Sequence, residues 1–141
     1  MDRHNKILGG GGFHHVAIKV YDFEKAVAFY KALGMTEKLA WGEGDGRGVL
    51  LDTGDGSYFE VFAGAPEAEP RDEWGKGSAL IHVALRTSDV DAATELAEQH
   101  GGRVTMQPKD IKIAHVPVRI SFVQAPTGEV VEFFQNDPKD L

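Results

Sequence analysis

Apolar and polar residues alternate from Phe13 to Val20, with Val16, Ile18 and Val20 on one face and His15, Ala17 and Lys19 on the other. A period of two marks a half-buried strand. The period then lengthens. Phe23, Ala26, Val27, Tyr30 and Leu33 recur at helical spacing, so a helix is expected from an Asp22 N-cap to about Leu33, stopped by Gly34. Trp41 to Asp52 contains Gly42, Gly44, Gly46 and Gly48 and reads as a hairpin tip between strands. Tyr58 to Phe62 is the next predicted strand, and Gly64 to Ser78 is a Pro-, Gly- and charge-rich connection around Trp74. The pattern then restarts. A strand is expected over Ala79–Thr87, a helix over Asp89–His100 and a turn at Gly101-Gly102. Three strands follow near Arg103–Met106, His115–Gln124 and Val130–Phe134.

The restart is an internal repeat. His15-Val16-Ala17-Ile18-Lys19 matches His82-Val83-Ala84-Leu85-Arg86, and Asp22, Ala26 and Gly34 fall on Asp89, Ala93 and Gly101 without a gap. After a gap of five residues, Gly56, Glu60 and Phe62 fall on Gly128, Glu132 and Phe134. Each half reads as β-α-β-β-β. The expected organisation is a lead-in or engineered scar over 1–12, module one over 13–63, a linker over 64–78, module two over 79–135 and a tail over 136–141. Modules 13–63 and 79–135 together make a single domain.

Composition narrows the function classes. The chain has 141 residues, 42% of them apolar, which suits one globular domain. Its net charge of -7 argues against nucleic acid or an anionic membrane as partner. The absence of cysteine excludes disulfides, a thiolate nucleophile and Cys-built metal sites. No apolar run reaches membrane-spanning length, so a cytoplasmic protein is expected.

Strand parity puts His15 and His82 on the polar faces of their strands, and Glu60 and Glu132 recur at matching places in the two halves. Two imidazoles and two carboxylates converging inside a curved sheet are costly unless something pairs them. A divalent cation does so, and this donor mixture suits Zn, Ni, Co, Mn or Fe without choosing among them. One ion per site is expected. Lys19 and Arg86 are repeat mates on the faces of the two His, and parity assigns Arg119 to the cleft as well. Two readings stand for these three: they hold an anionic small-molecule substrate, or they are ordinary strand salt bridges. His14, without a counterpart in the second half, reads as structural.

These residues carry a resemblance. His15-Val16-Ala17-Ile18-Lys19-Val20, Ala28-Phe29-Tyr30-x-x-Leu33-Gly34-Met35 and Ala125-Pro126-x-Gly128-x-x-x-Glu132 resemble the vicinal oxygen chelate superfamily over about residues 13 to 135. The resemblance implies an α+β fold of two tandem βαβββ modules forming a curved mixed sheet around a metal cleft. The full His, Glu, His, Glu set most resembles the glyoxalase I (lactoylglutathione lyase) branch. That branch implies His15, Glu60, His82 and Glu132 as metal ligands and Glu132 and Glu60 as catalytic carboxylates, with Glu132 the base. The implied reaction moves a proton alpha to a carbonyl through a metal-bound enediolate, in a homodimer. Two alternatives stay open: a non-catalytic binding or resistance protein of the same fold, and an acyl-coenzyme A epimerase-like enzyme. The branch has Arg where this chain has Lys19 and often Asn where it has Gly64, so use of glutathione is not implied.

Overall fold

The computed structural model describes residues 13–67, 82–113, 115–137 and 139–140. The lead-in over 1–12, the linker from residue 68 onward and the start of the strand expected from Ala79 lie outside the described residues. Module one runs β1 (His15–Lys19), α1 (Phe23–Ala32), β2 (Thr36–Trp41), β3 (Gly48–Asp52) and β4 (Tyr58–Phe62). Module two repeats the order as β5 (Val83–Arg86), α2 (Val90–Gln99), β6 (Arg103–Ile113), β7 (Val116–Gln124) and β8 (Val130–Gln135). The two four-stranded sheets have equivalent orders, β1-β4-β3-β2 and β5-β8-β7-β6. In each, the first strand runs parallel to the last and the remaining pairs are antiparallel. This is the expected pair of βαβββ modules.

Local chemistry sets the helix ends. The Asp22 carboxylate accepts from the Lys25 N–H at 3.1 Å, and its repeat mate Asp89 accepts from Ala92 N–H at 3.0 Å. Each satisfies a backbone donor that the first helical turn leaves open. Gly34 (φ 96°) and Gly101 (φ 93°) follow the helices in the left-handed region that glycine enters without strain.

The strand expected near Arg103–Met106 instead continues to Ile113. Pro108, Lys109, Asp110 and Lys112 read as loop, yet β6 is the sheet edge, where one side needs no ladder bonds and Pro is tolerated. Its register slips between Met106 and Lys109, which accommodates Pro108.

One apolar core spans both modules. Val20, Ala26, Phe29, Tyr30, Val49, Leu51, Phe59 and Val61 of module one pack in the same cluster as Val90, Ala97, Val123, Val131 and Phe133 of module two. Each sheet therefore turns one face inward, onto the helices, and its other face away from this shared core. A smaller cluster of Val118, Ile120 and Phe122 with Met106, Val130 and Phe134 covers the outward face of the second sheet.

Candidate metal centre

The outward face of β1 carries His15, Ala17 and Lys19, all exposed, while Val16 and Ile18 pack on the core, as alternation predicts. β1 and β4 pair so that Ala17 lies opposite Glu60 and Lys19 opposite Phe62. β5 and β8 repeat this register, with Ala84 opposite Glu132 and Arg86 opposite Phe134. Each His thus stands two residues before the partner of its Glu, on the same face. In module one, His15 Nε2 lies 3.8 Å from Glu60 Oε1. In module two, His82 Nε2 lies 2.9 Å from Glu132 Oε2.

The halves differ in depth. The Glu60 side chain is 20% exposed and that of Glu132 10%. Burial raises the Glu132 pKa, against the opposing pull of the His82 charge and hydrogen bond. Phe122 lies opposite Glu132 in the ladder, and its ring meets His82 edge-on at 5.3 Å, giving an apolar wall. In module one, Trp41 meets Phe62 edge-on at 5.9 Å, and Leu50 lies opposite Glu60. Sequence reasoning singled out none of Phe122, Ile120, Trp41 or Leu50 as lining. The available signal was their ladder position relative to the two Glu.

The four expected ligands form two pairs. Among the described residues no three His, Asp or Glu side chains gather in a geometry that could hold a metal ion. The shared core explains this: the pairs sit on sheet faces turned away from it. Each pair offers one imidazole nitrogen and one carboxylate, donors that fit a divalent first-row ion, and two such pairs brought together supply four ligands.

Of the expected anion-binding residues, Lys19 and Arg86 lie on the outward faces and make no ion pair among the described residues; Arg86 donates a long hydrogen bond to Asn136 at 3.5 Å. Arg119 is a correction. It lies opposite Gln135, whereas Ile120 and Phe122 lie opposite Phe134 and Glu132, so its side chain points to the helix face. There Arg119 Nε and Nη2 donate to Asp91 at 2.7 and 2.9 Å, and Nη1 donates to Asp110 at 3.1 Å. Parity misplaced it because β7 is buried on both faces from Ile120 onward, so no alternation orients the strand. His14 stands just before β1 with its Nδ1 3.0 Å from Nδ1 of His15, while His115 is exposed and His100 caps α2.

The profile of the Glyoxalase/Bleomycin resistance protein/Dioxygenase superfamily matches residues 12–133. The chain belongs to this superfamily. It is 30% identical over 130 residues to a probable lactoylglutathione lyase of Vibrio cholerae, covering 86% of this chain and 88% of that one. A glyoxalase I variant from Zea mays has the same fold, with a TM-score of 0.68 at 22% identity, covering 88% of this chain and 44% of that one. So does an antibiotic binding protein from Streptomyces sp. CB03234, with a TM-score of 0.66 at 23% identity, covering 90% of this chain and 97% of that one.

Proposed function

We propose that the protein is a divalent-metal-dependent lyase or isomerase of the glyoxalase I type, whose site joins His15 and Glu60 of one chain to His82 and Glu132 of a second copy. The observation carrying this reading is the duplicated His–Glu pair, held in one register on the outward face of each sheet. The lyase names of the curated relatives support it. When bound, the metal supplies positive charge that stabilises developing negative charge on substrate oxygens. The chain's residues do the rest. Glu132 takes the proton from the carbon alpha to a carbonyl and returns it to the neighbouring carbon. Phe122 keeps water from that side of the carboxylate, and Lys19 and Arg86 hold an anionic group of the substrate.

The competing reading is a small-molecule sequestering protein, favoured by the apolar lining of Trp41, Phe62 and Leu50. Metal content and turnover separate the two. Protein purified without added metal should carry about one divalent ion per four-ligand set, and His82→Ala should lose it. Glu132→Gln in metal-replete form should lower kcat about 10²–10⁴-fold on thiol hemithioacetals while substrate still binds. A metal-free protein that binds such compounds without converting them would establish the sequestering role instead.

A further inference from the structure

The two modules meet mainly through apolar side chains, and apolar contact has little directional preference. Among the described residues, two tyrosine hydroxyls of module one reach module two at one place, the turn joining β7 to β8. Tyr30 of α1 is fully buried, and its hydroxyl donates to Glu129 Oε2 at 2.8 Å. The other oxygen of Glu129 accepts from the Thr127 hydroxyl at 2.5 Å. Tyr21, just before α1, donates to the Pro126 carbonyl at 3.3 Å. The turn is itself closed by Ala125 N–H to the Glu129 carbonyl at 2.8 Å and Gly128 N–H to the Ala125 carbonyl at 2.9 Å. A rigid turn of module two is thus gripped by tyrosines of module one, 99 residues away in sequence at the Tyr30–Glu129 bond.

The Tyr30 ring is fixed independently of its hydroxyl, edge-on to Phe29 at 5.1 Å and to Phe59 at 4.5 Å. Its hydroxyl therefore acts as a fixed donor, and Glu129 must come to it. A hydrogen bond with both partners held is a directional constraint. Such a bond restricts the angle between the modules in a way that non-directional apolar contact does not.

We infer that Tyr30 and Glu129 form an intermodule latch, a pair of positioning residues that holds each chain at the angle required for its two half-sites to meet those of a second copy. This rests on the proposed four-ligand site. A symmetric pair of chains must join two sets of half-sites at once, so an error in the intermodule angle displaces both.

The test uses the full chain. Because there is no native cysteine, Lys38→Cys and Lys112→Cys place one nitroxide label on each module at exposed positions. Pulsed electron resonance then reads the intermodule distance, with labelled chain diluted in unlabelled chain. Tyr30→Phe and Glu129→Ala should at least double the width of the distance distribution and raise the Co²⁺ dissociation constant about tenfold. Glu129→Gln, which keeps an acceptor for the hydroxyl, should stay near the parent. Thr94→Val is the control: it removes a buried hydroxyl pair with Ser121, 2.7 Å apart, inside module two alone. It should lower the melting temperature yet leave both width and Co²⁺ affinity unchanged. An unaltered distribution in Tyr30→Phe, or equal broadening in Thr94→Val, overturns the latch, as does a broadened distribution with undiminished Co²⁺ binding. Failure of the parent itself to bind Co²⁺ overturns the four-ligand site and with it the positioning role, whereas the distance measurement still decides whether the two modules are latched.

Discussion

At the scale of single residues, three cations that one pattern grouped together have different surroundings. Lys19 and Arg86 stand on the His-bearing faces without carboxylate partners among the described residues, and Arg119 is committed to Asp91 and Asp110. The Arg119 fork is satisfied bidentately, which also lowers the Asp91 pKa. Lys19→Ala and Arg86→Ala should each raise KM more than they lower kcat. A lost charged hydrogen bond of about 1.5–3 kcal/mol corresponds to roughly 10- to 100-fold in kcat/KM. Arg119→Ala should leave KM unchanged, and steady-state kinetics on the three variants checks the division. The two His–Glu pairs were legible because the repeat correlates them: a lone strand histidine says little, whereas His15 and His82 with Glu60 and Glu132 at matched positions say much. Arg119 was not legible, because in β7 both faces are buried and the alternation that orients β1 is missing.

At the scale of elements, the loop between β2 and β3 settles what position 64, beside Lys19, can accept. Its single 3₁₀ turn, Gly44–Gly46, lies against Gly64 just beyond β4. A Cβ at Gly64 would come within 2.8 Å of the Asp45 carbonyl oxygen, and Gly64 has φ 91°. Both facts exclude a side chain there unless the loop moves. Gly64→Asn should therefore destabilise the protein by about 1–3 kcal/mol, read as a lower melting temperature, rather than add a polar contact for substrate. Sequence alone showed the glycines as turn formers but not their neighbours, because contact between residues 45 and 64 is a tertiary fact. The same holds for β6. Its charged and Pro-containing second half becomes strand only because β7 supplies the ladder beside it. The helices were legible nearly to the residue, since Asp22, Asp89, Gly34 and Gly101 act locally.

At the scale of the whole molecule, the shared core and the outward half-sites fix how defects combine. If each site joins module one of one chain to module two of another, a His15→Ala chain and a His82→Ala chain are each empty alone. Refolded together in equal amounts, they should recover about one quarter of the parent sites, because half the dimers are mixed and each has one intact set. Metal content and activity both read this; no recovery would place all four ligands in one chain. The latch adds a pH dependence. Burial, the Glu129 charge and the Glu129 hydrogen bond raise the Tyr30 pKa well above its usual value. Above the unfolded pKa of about 10, the unfolded chain releases this proton while the folded chain keeps it, so stability falls as pH rises. Denaturant midpoints should therefore drop more steeply above about pH 10 in the parent than in Tyr30→Phe. Each half alone has one imidazole and one carboxylate in one register, so under the proposed function a lone module paired with its own copy would present all four donors. Under that proposed site the present chain joins covalently what two copies of one module would otherwise bring together. Joined in one chain, the two halves need not be identical, and Glu60 and Glu132, 20% against 10% exposed, hold equivalent register positions at different depths.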